Sequence, residues 1–234
     1  MIDLKTEQEI EVMREGGKIL ANVLFKVLEN VKVGVSELEL DKLAEKLILE
    51  KGGEPGFKKV DGYRHTICIS TNDVVVHGVP TEYKLKEGDV VGIDCGVYYK
   101  GFHTDMAETI HVSTNNKQLP TNNNDNIDKF LETGKRAMWE GIKAARFGNR
   151  VGDISKAIQT VVEGQGYSVV RSLIGHGVGR QLHEEPEVPG FLAREIEDTT
   201  KLRIGMTIAI EAIYNMGKAD VVNSNNDGWT IKSK

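Results

Sequence analysis

Glu87-Gly88-Asp89-Val90-Val91-Gly92-Ile93-Asp94 and Ile204-Gly205-Met206-Thr207-Ile208-Ala209-Ile210-Glu211 lie 117 residues apart in a chain of 234. Each is an apolar run rich in β-branched residues that ends in a carboxylate, the pattern of a buried strand. The surroundings repeat as well. Val76-His77-Gly78-Val79-Pro80 is echoed by Leu182-His183-Glu184-Glu185-Pro186. Further upstream, helical periodicity runs from Glu7 to Val31, with Ile10, Met13, Leu20, Val23, Leu24 and Val27 on one stripe. A second helix follows Gly34, where Ser36 and Glu39 have capping-box spacing, and it stops at Gly52-Gly53. Glu132-Thr133-Gly134-Lys135 answers Glu15-Gly16-Gly17-Lys18 and opens a helix to Phe147, and another runs from Asp153 to Glu163. The period is too long and the copies too few for a solenoid. The reading is an internal duplication, roughly 7–112 and 129–234, within a single domain spanning 1–234. Its class is α+β: two pseudo-symmetric halves, each an antiparallel sheet with helices outside.

Composition narrows the function classes. Lys+Arg 30 against Asp+Glu 35 leaves a net charge of −5 and no concentrated basic surface, which argues against nucleic acid as a partner. The apolar runs fall far short of the roughly 20 residues of a membrane span. The opening residues, Met1 to Glu7, show no apolar secretory core. Cys68 and Cys95 read as reduced thiols, so the expected compartment is the cytoplasm. Ser113 to Asp128, rich in asparagine, reads as a solvated linker between the halves.

The chemistry sits in carboxylates and histidines. Val90 to Tyr99 and Phe102 to Val112 read as the two strands of a hairpin. With Tyr99-Lys100 as the loop, Asp94 and Asp105 face each other directly. Like charges opposed in an apolar hairpin are destabilising, which argues for a cation between them. Glu211 takes the place of Asp94 in the second half, where an apolar setting would again demand a positive partner. Ile174-Gly175-His176-Gly177-Val178-Gly179-Arg180-Gln181-Leu182-His183-Glu184-Glu185-Pro186 sets two histidines among small residues that permit close backbone approach. His65, His103 and His111 are read as structural. The glycines around His176 are not a dinucleotide fingerprint, His183-Glu184-Glu185-Pro186 lacks the second His of a zincin helix, and no phosphate loop or serine elbow occurs.

Together these motifs resemble type I methionine aminopeptidases: Val76-His77-Gly78-Val79-Pro80, Ile93-Asp94, Gly101-Phe102-His103-Thr104-Asp105, Gly175 to Arg180, His183 to Pro186, Gly205-Met206 and Ile210-Glu211. The resemblance covers nearly the whole chain. It implies the pita-bread (creatinase/aminopeptidase-like) fold and a site for two divalent metal ions: cobalt, manganese, iron or zinc. Removal of the initiator methionine by a metal-bridging hydroxide is the implied activity. Asp94, Asp105, His176 and Glu211 become metal ligands, with Glu211 also a proton carrier. His77 and His183 become catalytic residues touching substrate at the scissile amide, while Tyr63, Cys68 and Trp229 line the methionine pocket. The implied partners are the N-terminus of a nascent polypeptide and, transiently, the ribosome, with the enzyme itself a monomer.

Three departures are visible. The resemblance implies a further bridging Glu on a strand after the segment matching Asp227 to Lys234, so the C-terminus reads as truncated relative to the family. Ala212 follows Glu211 where proline is usual, and Leu182 stands where many bacterial members have an aromatic. The absent Glu raises an alternative, an inactive pita-bread binding protein that uses the cleft for protein contacts.

Overall fold

A computed structural model describes residues 2–113, 125–224 and 227–234. The helices are α1 (Glu7–Leu28), α2 (Glu37–Glu50), α3 (Asp125–Ala144) and α4 (Val151–Glu163). Strands in the first half are β1 (Glu54–Pro55), β2 (Ile67–Thr71), β3 (Val74–Val76), β4 (Val90–Tyr99) and β5 (Phe102–His111). The second half adds β6 (Ser168–Val169), β7 (Gly175–Gly177), β8 (Glu184–Val188), β9 (Ile208–Ala209), β10 (Tyr214–Asn215), β11 (Val221–Asn223) and β12 (Ile231–Ser233).

Both first-half helices start as their sequences dictate. The Thr6 and Ser36 hydroxyls accept from the backbone N–H groups of Glu9 and Glu39, and those glutamates reach back to the cap backbone. The end of α1 comes earlier than Val31, because Asn30 and Val31 donate to Val27 and Leu28 and tighten the last turn. In the second half α3 begins at Asp125, so the last residues of the expected linker are its first turn; positions 114–124 lie outside the described residues.

In the first half β4 is the central strand, with β5 along one edge and β1 and β2 along the other. Leu20, Val23, Leu24 and Val27 of α1 and Leu40, Ala44 and Ile48 of α2 bury against Val91, Ile93, Cys95 and Val97 of β4. At roughly 25 cal/mol per Å² of apolar area, this contact is the main force fixing the hairpin. The second half repeats the layering with a smaller sheet, β8-β7-β9, covered by Ile154, Ile158 and Val162 of α4. The strand expected over 206–210 shrinks to Ile208–Ala209, since only these residues pair with β7. A third sheet, β11-β12-β3, takes strands from both halves and joins them. This is the pita-bread fold.

The hairpin register differs from the expected one. Tyr99 pairs with Phe102, so the two-residue turn is Lys100-Gly101 and Asp94 lies opposite Ala107, with Asp105 opposite Gly96. The cause is local: the favoured two-residue hairpin turn needs positive φ at both central positions. Lys100 at 47° and Gly101 at 94° supply it, whereas Tyr99 would be strained there. A shift of two in the pairing keeps both aspartates on the same face and makes them diagonal neighbours.

Candidate active site

The site is built at the seam between halves. Asp94 leaves β4 beside Cys68 of β2, its register partner, and Asp105 leaves β5 on the same face. Their carboxyl groups are close enough to hydrogen-bond to each other. Burial, first, and then the neighbouring carboxylates hold Asp94 well above the usual carboxylate range. Asp105 is pushed up to about 6, again mainly by burial and then by Glu211. The buried aspartate pair thus carries a charge problem that the protein leaves unsolved.

His176 sits at the centre of β7, between β8 and β9, paired with Ala209. Its flanking glycines are required by contact. A Cβ on Gly175 would come within 2.4 Å of the Ala209 carbonyl oxygen, and one on Gly177 within 2.3 Å of the Glu185 carbonyl oxygen. The Nδ1 of His176 donates to the Gly177 carbonyl at 2.8 Å, which leaves Nε2 free to turn inward. There Nε2 lies 3.3 Å from Glu211 Oε1 and 3.7 Å from Asp105 Oδ2. Burial pulls the His176 pKa down, but bonding to Glu211 and Gly177 outweighs it and the net shift is upward.

Two more imidazoles close the ring. The His183 ring centroid is 4.3 Å from that of His176. His77 is held at φ 55°, a conformation uncommon outside glycine, directly before Gly78. A Cβ on Gly78 would sit 1.9 Å from the Ile69 carbonyl oxygen, so this turn locks against β2 and aims the preceding imidazole. Burial lowers the pKa of both His77 and His183, and the adjacent His176 adds to the effect. Both are neutral at pH 7 and can donate or accept.

An apolar cluster adjoins the ring. Phe57, Tyr63, Cys68 and Leu182 form a buried cluster with Val60, Val79 and Trp229 against it. The Tyr63 and Trp229 rings meet edge to face at 5.1 Å, and the Tyr63 hydroxyl donates to the Ile67 carbonyl at 2.9 Å. Pairing of β12 with β3 carries Trp229 across from the second half. On the other side of His183 opens a cleft of about 460 Å³, lined by Lys59, Tyr98, His103 and Arg180 among others.

The donor chemistry fits hard or borderline divalent cations: three carboxylates and one imidazole whose tautomer is fixed by a backbone carbonyl. No lysine or arginine reaches Asp94 or Asp105 among the described contacts, so a cation is what the pair lacks. Among the described residues no three donors have closed into a ready-made cage. Donors 3.3 and 3.7 Å apart need only small side-chain rotations to share an ion.

All nine residues singled out from sequence converge here. His65, His103 and His111 remain outside the ring. Sequence reading missed Glu37, Asp41 and Lys5. Asp41 accepts from the backbone of Thr66 at 2.8 Å and of Ile67 at 3.1 Å, and lies 3.2 Å from His65 Nδ1. Glu37 accepts from the hydroxyls of Thr71 and Thr81 and from the Thr81 backbone. A helix-period reading assigns such residues to the solvated face; their one signal was position in the first turns of α2, four apart and so on one side.

The chain is similar to known proteins over nearly its whole length. The model of metallopeptidase family M24 matches residues 11–231. A methionine aminopeptidase of Clostridium perfringens is 43% identical over 231 residues, covering 99% of this chain and 88% of that protein. The crystal structure of methionine aminopeptidase from Rickettsia prowazekii superposes with a TM-score of 0.92 at 32% identity, over 100% of this chain and 90% of that one. That from Thermotoga maritima gives 0.91 at 35% identity, with the same coverage. Matched in sequence and in fold over nearly its whole length, the chain belongs to metallopeptidase family M24, among the methionine aminopeptidases.

Proposed function

We propose that this chain removes the N-terminal methionine from newly made polypeptides in the cytoplasm, as a monomer that meets its substrate at the ribosome, with two divalent ions held by Asp94, Asp105, His176 and Glu211. It acts as a single domain whose duplicated halves, roughly 7–112 and 129–234, each supply part of the site. The observation that carries the reading is the meeting of an unneutralised aspartate pair with His176 and Glu211, flanked by two neutral histidines and an apolar slot. Divalent ions supply Lewis acidity and a water of lowered pKa there when bound.

The chain's own residues do the rest. Tyr63, Cys68, Leu182 and Trp229 enclose an unbranched thioether side chain and exclude water from it. With methionine so seated, His77 and His183 flank the scissile amide. A neutral imidazole donates a hydrogen bond to the carbonyl oxygen as charge develops on it, and the other contacts the amide nitrogen. Glu211, more accessible than Asp105 at 34% against 13% side-chain exposure, carries a proton toward the leaving amine.

The test is hydrolysis of methionyl tripeptides with and without Mn²⁺. Cleavage is expected only with metal, and Asp105→Ala is expected to lower it at least about a hundredfold, the scale of losing one preorganised group. Equal hydrolysis by metal-free or substituted protein would contradict the proposal.

A further inference from the structure

The Lys5 side chain is 1% exposed and its ammonium ends on Glu184 Oε2, with the Asp3 carbonyl at 3.1 Å and the Asp3 carboxylate at 3.5 Å. Glu184, 11% exposed, uses its other oxygen to accept from the Gln181 backbone N–H at 3.0 Å. One carboxylate therefore closes the loop 181–184 on itself and ties it to Lys5, around Leu182 and His183. The fit is tight: a Cβ on Gly179 would lie 2.3 Å from Lys5 Cε. Two further ties run in parallel. The Lys5 backbone donates to the Gly205 carbonyl at 2.8 Å, and Arg180 pairs with Asp3 at 3.1 Å and with Glu9, its guanidinium 5.0 Å over the Phe102 ring. The segment Asp3–Glu9 thus grips both ends of the loop that presents His183.

A buried ion pair is a poor source of net stability, because desolvating both charges costs about what their attraction returns. Apolar side chains would anchor the segment as well. What a charged pair adds is a fixed direction, and here that direction is set one residue from His183. We propose that Lys5 is a positioning residue for His183, acting through Glu184, so that the segment Asp3–Glu9 sets the imidazole's place beside the scissile amide. This rests on the role given to His183 above.

The test uses Lys5→Met and Glu184→Gln, each in the otherwise unchanged chain and with His183→Ala. Two readouts keep the proposal separate from the activity. The first is the ¹H–¹³C ring signal of His183 in metal-free protein, assigned by its loss in His183→Ala. It is expected to shift and broaden in Lys5→Met while the signal of His111, at the far end of β5, stays put. The second is Mn²⁺-supported cleavage of a methionyl peptide. There kcat is expected to fall about tenfold to a hundredfold, the cost of a misplacement on the order of an ångström, with KM within about twofold. In the His183→Ala background the same substitution should cost nothing further. If Lys5→Met fails to fold, Glu184→Gln, which keeps the loop's shape, carries the same comparison. An unmoved His183 signal in a folded variant, or a loss that persists undiminished without His183, would overturn the proposal. Should the unsubstituted chain cleave nothing, the activity reading fails and the ring signal still decides the clamp.

Discussion

At Asp105 the chain accepts a cost that only a ligand relieves. Its folded-state pKa is raised to about 6, above that of an unfolded aspartate. The stabilising contribution of such a group is complete only below the unfolded pKa and is lost as pH rises through the folded one. Ionising the Asp94–Asp105 pair in the metal-free protein is therefore costly, chiefly through burial and then through the neighbouring carboxylates. Asp105→Asn removes one charge at nearly constant shape. It is expected to raise the melting temperature of the metal-free protein, by about 2–4 °C for each kcal/mol of relieved repulsion. The same substitution should abolish the further rise that Mn²⁺ gives the unsubstituted chain through preferential binding to the folded state. Thermal melts with EDTA and with Mn²⁺ check both; a lower melting point for Asp105→Asn in EDTA would count against the repulsion. Sequence could reveal this pair because aspartate inside an apolar strand is anomalous. Lys5, lodged among alternating apolar and charged residues, gave no such signal, since lysine is almost always solvated.

Among the elements, α2 shows how a helix can serve a site it never touches. Its first two turns bury Glu37 and Asp41 on one side, and between them they hold the ends of the segment 66–81, which includes Cys68 and His77. Asp41→Ala would orphan the Thr66 and Ile67 amides. The expected loss is roughly 2–6 kcal/mol in urea unfolding, from two buried donors at about 1–3 kcal/mol each. KM for a methionyl peptide should rise as the Tyr63 wall loosens. A loss within about 0.5 kcal/mol would mean that water replaces the carboxylate. Helices and the long hairpin were legible because caps and periodicity are written in neighbouring residues, as Thr6–Glu9 and Ser36–Glu39 show. The register was less so. It hinged on whether Tyr99 or Gly101 joins Lys100 in the two-residue turn, a matter of backbone φ that periodicity does not encode. The second-half strand was over-read for a related reason: apolar alternation over 206–210 reports burial, whereas a strand also needs a paired neighbour.

Across the whole molecule, the site exists only where the halves meet. β3 and β12 pair Val76 with Ile231 next to His77, and the His103 backbone donates to Gly179 at 2.7 Å, so the first half's hairpin and the second half's histidine loop are held at one distance. The repeated order of carboxylate-ending runs made this convergence legible from sequence, because Asp94 and Glu211 close the two runs and come together at the site. No helix of the described residues is long and apolar enough to cross a membrane. The measurement that bears most directly on the central claim is anomalous diffraction at the manganese edge from crystals grown with Mn²⁺. The account predicts density within about 2.0–2.6 Å of oxygens from Asp94, Asp105 and Glu211 and of Nε2 of His176. Manganese bound only elsewhere on the surface, with this cluster empty at millimolar metal, would contradict it.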